Sequence, residues 1–378
     1  MFNYLISKQV NTKRPFYFLA SLWAVICPVI FLLSFFANLG FSIDVVEHGR
    51  GMLFGFTSAL ITGYLAGPRR VLEVIWLVGL WSVTRLVELF SAEHELSLWM
   101  YGVYGCHVAF IIAPKFISAK KLRNKLMSPT LAILIGFPVL LVIFNSTSIY
   151  QADFVFIFSQ LLTMLMFFMG GRIISPMIVK ASMKNNYRIP HRVQPNIEGA
   201  TIALIIFSVV LRALNLDWLA PYNRYLLSGT HAAIALLIVT RIWRWTPTSL
   251  SKRNGAIWAL LTGYLWMALA QLTLGVNVLQ EQVDISSLHL ISVGALGLMS
   301  SSIMTLAVSK QRQTSTEIYF SFLILISGAV ILRYIASWLP DYYRLLLSIS
   351  VVFWCTTYLL VLKEVLAMKL PEWKLRGR

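Results

Sequence analysis

The chain has 378 residues, of which 58% are hydrophobic and 12% charged, and a net charge of +17; its mean hydropathy is +0.74 and its pI about 9.9. A soluble globular chain carries about twice that fraction of charge, so the composition excludes a soluble enzyme. The basic residues sit in short links between apolar runs, which implies an inner-membrane protein and no nucleic-acid partner.

A membrane-crossing helix needs about 20 mostly apolar residues. In chain order the apolar runs predict twelve spans, over roughly 17–39, 51–67, 71–90, 97–117, 129–145, 152–178, 198–216, 224–245, 255–276, 285–308, 317–339 and 343–368. Lys8, Lys13 and Arg14 before the first run resemble a signal peptide, but the run is long and lacks a small-x-small site, so it predicts a retained first helix. The expected fold is an all-α, multi-pass protein with one polytopic domain over 1–378 and the lipid bilayer as its first partner. Cys27, Cys106 and Cys355 each lie in an apolar run and form no CxxC, so no disulfide is expected.

Orientation follows from Lys and Arg in short links. With the N-terminus inside, the links on that side hold 25 of the 32 basic residues. They include Arg69 and Arg70, Lys120 and Lys121, Arg241 and Arg244, and Lys310 and Arg312. The opposite links hold Asp44, Glu47, Glu93, Glu95, Asp153, Asp217, Glu281, Asp284 and Asp341. This alternation predicts both termini in the cytoplasm. The seven exceptions are all arginine: Arg50, Arg85, Arg172, Arg212, Arg224, Arg333 and Arg344. A charge inside a span costs at least ~2.5 kcal/mol on insertion scales. Such arginines either snorkel to headgroups, pair within the protein, or bind an anionic group through their forked donors. Arg85 has Glu88 one turn away.

Two stretches repeat. LRALNLDWLAPYNRYLLS at the end of span 7 parallels LRYIASWLPDYYRLLLS at the end of span 11. Arg212 thus matches Arg333, and Arg85 falls at the equivalent place one repeat earlier. The spacing predicts three tandem four-helix units, approximately 1–127, 128–250 and 251–378, related by an axis along the membrane normal. His48 and His289 then occupy the same outer position in spans 2 and 10. Two imidazoles at equal depth across a pore are the geometry of two axial ligands to one haem iron, and Arg50, Arg85, Arg212 and Arg333 would supply cations for its propionates. Interfacial histidines with local hydrogen bonds are the other reading. His107 in span 4 and His231 in span 8 are weaker metal candidates, or buried neutral histidines. Met164, Met166 and Met169 could offer soft copper ligation, but methionines on a membrane helix commonly pack or face lipid. His94 and His191 fall in links and are expected to be solvated. Besides CxxC, the chain lacks a nucleotide-binding loop and GxSxG.

MLFGF at 52–56 followed by ITGYL resembles the HEMLFGF…AGFL signature of the NnrS family. So do RPFYFLASLW at 14–23, Arg123-Asn124, GGRII at 170–174, IWALLTGYLWMALA at 257–270 and HLISVGALGLMSSSIMTLAVS at 289–309, in matching order. The resemblance implies a twelve-helix bacterial inner-membrane protein that carries haem and copper and is linked to nitric oxide and nitrosative stress. The layout is also similar to the catalytic subunit of haem–copper oxidases, in which one histidine on helix 2 and one on helix 10 hold the low-spin haem; His48 and His289 match those roles. The chain departs from the family pattern in three places. HxHEM reads His48-Gly49-Arg50-Gly51-Met52, the histidine of WxLHxGY is Thr262, and Lys310-Gln311-Arg312 replaces GHTGR. Spans 6 and 7 hold no histidine, so an oxidase-type haem–copper centre cannot be built. The expectation is a b-type haem between His48 and His289, in electron transfer or with nitric oxide or a redox partner, and no copper assignment. The alternatives are an anion transporter or channel working through the membrane arginines, and a non-enzymatic partner or assembly factor.

Overall fold

The computed structural model describes residues 9–36, 45–90, 94–143, 152–183, 189, 193–214, 220–245, 254–281, 285–309 and 315–368. His191 and several link charges, Asp44, Glu93, Asp217 and Asp284 among them, lie outside the described residues. Helix lies under every predicted run: α1 (Lys13–Phe36), α2 (Val45–Arg50) continuing through a π-helical turn into α3 (Thr57–Leu65), α4 (Val71–Phe90), α5 (His94–Ile117), a single turn α6 (Leu122–Lys125), α7 (Met127–Ile143), α8 (Ala152–Met183), α9 (Pro195–Leu214) and α10 (Ala220–Arg244). Then follow α11 (Gly255–Leu279), α12 (Ile285–His289) leading through a second π-helical turn into α13 (Gly297–Ser309), α14 (Glu317–Ala336) and α15 (Tyr343–Leu366). Among the described residues, nine helical spans are long and apolar enough to cross a membrane. The chain is a multi-pass membrane protein. The remaining long segments are α7, apolar but 17 residues, the interrupted helix over 45–65, and α4 with Glu73, Arg85 and Glu88.

One element has no counterpart in the sequence reading. Strand β1 (Gln9–Asn11) pairs antiparallel with β2 (Pro68–Arg70), with Val10 opposite Arg69. Strands of three residues carry too little period to be seen in advance. The ribbon is set by the end of α3. Gly67 turns the chain at φ +73°, a left-handed conformation that glycine adopts without cost. The last carbonyls of that helix are bound from elsewhere: Lys115 Nζ donates to Leu65 O (2.7 Å) and Ala66 O (2.6 Å), and Thr12 Oγ1 to Gly67 O (3.0 Å). A lysine at a helix C-terminus satisfies both the free carbonyls and the dipole. These contacts put the start of α1, the link after α3 and the end of α5 on one face. At other links Arg224 bonds Glu281, and Gln194 Nε2 donates to the Arg241 carbonyl (3.3 Å).

The helices close on themselves. The most extensive contacts include α5 with α7, α10 with α11, α14 with α15, and α15 with α1. The last junction is clasped by Trp354, whose Nε1 donates to Ala24 O across the chain (2.8 Å). Close approach of α5 and α7 depends on Gly105, where an added methyl would fall on the Ile135 carbonyl. Gly136, one residue further along α7, has open space instead. Gly105→Ala is therefore expected to destabilise by about 1–3 kcal/mol through overpacking. Gly136→Ala should be neutral or gain up to roughly 1 kcal/mol of helix propensity. Thermal unfolding of both variants in detergent checks the contrast.

Candidate functional site

Each of the two predicted histidines stands just before a π-helical turn. Gly51–Phe56 follows His48 by three residues, and Leu290–Leu296 follows His289 directly. Such turns are rare and concentrate at functional sites. A π-turn shifts the hydrogen-bond ladder and leaves carbonyls that need other donors. In the first, the Thr57 N–H and Oγ1 both reach Met52 O, the latter at 3.2 Å. Two indoles supply the rest: Trp23 Nε1 donates to Gly51 O (2.9 Å) and Trp81 Nε1 to Gly55 O (3.0 Å). In the second, Gly294 lies against the Trp266 ring and Gly297 against Trp354, so a side chain at either would collide with an indole.

Between the two interrupted helices lies a cavity of about 210 Å³. His48 and His289 both line it, with Phe31, Met52, Leu53, Phe56, Leu296, Leu347 and Trp354 as apolar wall. Its serines are turned to backbone: Ser159 Oγ donates to Val155 O, Ser292 Oγ to Leu288 O and Ser350 Oγ to Ala329 O. The other polar side chains on its lining are two imidazoles and one cation. His48 stacks on Phe31, centroids 4.4 Å apart, and its Nδ1 lies 3.8 Å from Cys27 Sγ. That contact leaves Nε2 as the nitrogen available to a ligand.

Of the four arginines expected near an anionic cofactor, Arg333 lines the cavity, its Nη1 2.9 Å from Tyr343 Oη. Arg50, next in sequence to the lining residue Gly49, is buried and is not among the lining residues. Arg85 is engaged elsewhere. It sits between Trp23 and Trp81, bonds Tyr101, and pairs with Glu88 (3.3 Å). Gly55 makes room for this guanidinium, since an added methyl would strike it. Arg212 is half-buried over the Phe156 ring. His107 is half-buried on α5 away from the cavity lining. His231 is fully buried, its Nδ1 2.7 Å from Gln271 Oε1, and Gln271 Nε2 donates to Gln160 (3.2 Å). Among the described residues no three His, Cys, Asp or Glu gather as metal ligands.

A second buried ion pair was not foreseen. Arg241, read as a link charge, is 2% exposed and donates to Glu198 (2.6 Å) while lying over Phe167 and Trp245. Gly171 opens the space for it. The signal was present in Gly170-Gly171, since paired glycines on an apolar helix mark close approach. Cys27 was equally unforeseen, because an apolar-run cysteine has no sequence signature of its contact.

An all-helical multi-pass membrane protein with a two-histidine cavity is the class that this fold and site define. The NnrS protein family matches residues 13–370, nearly the whole chain, and the chain belongs to that family. No curated protein and no solved structure matches it.

The Arg85–Glu88 pair generates a prediction. Removing one partner of a buried pair strands the other charge and costs about 3–5 kcal/mol. Glu88→Gln should therefore lower thermal stability far more than Glu73→Gln, whose partner Arg69 lies at a quarter-exposed site 3.7 Å away. Melting curves of the two variants decide it.

Proposed function

We propose that this NnrS-family chain binds a b-type haem between His48 and His289 in the bacterial inner membrane, and serves electron transfer or the response to nitric oxide. The observation that carries the reading is that both histidines line one apolar cavity, each at the head of a π-helical turn. The donor set fits the group: two imidazoles, apolar walls, and Arg333 as a cation for a propionate. The space of about 210 Å³ lies below the ~300–1,000 Å³ usual for small-molecule sites. A macrocycle therefore requires wall side chains such as Met52 and Phe31 to part. A bound haem would supply one-electron chemistry. Around it, Cys27 holds the His48 ring by its Nδ1 edge, as ligating histidines are held from behind. Tyr343 steadies the Arg333 guanidinium. Histidine on both faces favours electron transfer over ligand activation.

The same reading takes the twelve helical segments as twelve spans in three parallel four-helix units with both termini inside. Three features support it. The last helix of each unit packs on the first of the next, α5 on α7, α10 on α11 and α15 on α1. The π-turns recur at equivalent places in units one and three. The contacts of β1, β2 and Lys115 join links that the charge alternation assigns to one side. The anion-transport alternative loses support from the ion pairs. Arg85, Arg224 and Arg241 are engaged by Glu88, Glu281 and Glu198.

Two measurements test these statements. Purified protein expressed with ample haem should show a sharp Soret band and split visible bands on reduction. His48→Ala and His289→Ala should each abolish or convert that spectrum, and His107→Ala should leave it intact. A colourless wild type overturns the haem assignment. For topology, cysteines placed by Lys121→Cys and Asp153→Cys should label from opposite faces of the membrane, and same-side labelling rejects the twelve-span arrangement.

A further inference from the structure

A second cavity, of about 60 Å³, lies directly beyond the first along the same helices. The two share Leu296 as wall, and neighbouring residues divide between them: Phe56 faces the first and Thr57 the second. Its deep wall is Leu162, Met166, Leu296 and Met299, all buried. Its rim is Tyr64, Leu65, Met169 and Ile303, which are half-buried. Met169 and Ile303 belong to spans long and apolar enough to cross the bilayer, so this part of the rim adjoins hydrocarbon, while Leu65 lies at the end of α3 beside Lys115.

By size alone the space would take several waters, at roughly 10–15 Å³ each. Its chemistry refuses them. A buried water needs about two to four polar partners, and of the hydroxyl residues on this wall Thr57 and Ser300 are engaged within the protein while Tyr64 stands at the rim. Thr57 Oγ1 reaches Met52 O (3.2 Å). Ser300 Oγ is bonded to Tyr358 Oη (2.7 Å) and reaches Gly297 O (3.3 Å). Cavities lined by leucine, isoleucine and comparable side chains stay dry and take up small apolar guests such as xenon.

We propose that this second cavity is a docking site for a small uncharged molecule, of the size class of a diatomic gas, that reaches the protein from the lipid phase. Such molecules partition into hydrocarbon, and the rim at Met169 and Ile303 adjoins that phase. Leu296 is then the partition between this site and the histidine cavity. A role as antechamber to a haem rests on the reading given above; occupancy of the cavity by gas does not.

Xenon is the probe, because it is uncharged, apolar and visible. Full-length protein is crystallised and pressurised with xenon, and the anomalous signal is read at this position. One xenon against Leu162, Met166 and Met299 is expected in the wild type. Leu162→Phe fills the deep wall and should abolish it. Ile303→Phe, at the more tolerant half-buried rim, should reduce it if Leu162→Phe does not fold. Ordered water at the position, no xenon in the wild type, or full xenon occupancy in a folded Ile303→Phe overturns the proposal. The Soret band of the same preparation is recorded independently. Xenon without a Soret band sinks the haem reading and leaves the gas site. A Soret band without xenon does the reverse.

Discussion

A backbone carbonyl freed inside a membrane protein must be given a donor, because surrounding hydrocarbon offers none. The π-turn that follows His48 lies at the centre of the fold and takes side-chain donors on its carbonyls. On the first turn the donors are the indoles of Trp23 and Trp81, and this choice fixes much else. Trp23 stands on α1 and Trp81 on α4, so the interrupted helix is bound on two sides. The two indoles meet edge to face, 6.0 Å apart at 88°. Together they form the aromatic walls over which Arg85 lies. Cys27, one turn along α1 from Trp23, is thereby brought to the Nδ1 edge of His48. Neighbouring turns of α1 thus carry both the donor to the π-turn and the group at the His48 ring.

Charge follows a similar rule. Arg85 and Arg241 are both fully withdrawn from solvent, and each has a carboxylate, an aromatic cradle and a glycine facing it. Glycine in these places serves proximity more than backbone freedom. A methyl on Gly55 or Gly171 would strike the guanidinium of Arg85 or Arg241 and force it to shift from its carboxylate. The MLFGF and GGRII stretches thus acquire a physical meaning: each supplies the gap through which a neighbouring helix lodges a paired cation. Arg333, at the cavity, is bonded to a neutral tyrosine hydroxyl in place of a carboxylate. That leaves its charge available to an anionic group, which is why it carries the propionate assignment better than Arg85 does.

Much of this architecture is legible in the sequence. Runs of about 20 apolar residues locate helices without reference to packing, and each of the twelve runs holds helix among the described residues. His48 and His289 line one cavity, as expected from a sequence reading in which distance along a repeat stands in for position. The roles of the arginines are less visible. Arg85 and Arg333 look alike in sequence, both in the outer part of a span, and differ only in which side chain the helix rotation brings opposite them. Arg241 reads as a link charge because it lies near a helix end, and only the packing of α9 on α10 shows it buried against Glu198. The π-turns themselves leave no period to detect, since one widened turn alters spacing by less than the scatter of apolar residues on a buried helix.

The departures from the family's HxHEM pattern gain a structural meaning at the same place. Gly51 stands where that pattern has glutamate. Its Cα faces Cys27 Sγ, which an added methyl would approach to 2.9 Å, and the Trp23 indole beyond it. A longer side chain at 51 could not coexist with the present positions of both. Arg50 stands where the pattern has its second histidine, and it is 2% exposed. The glutamate and the second histidine have therefore not left a void for another group to fill. Their space is occupied by Cys27, Trp23 and Arg50, which are the groups that hold the π-turn, the His48 ring and the outer charge in place. A chain so rearranged keeps one imidazole at the head of each π-turn. It gives up the additional nitrogen and carboxylate of that pattern, and the packing of Cys27 and Trp23 against Gly51 closes the space that a longer side chain there would need.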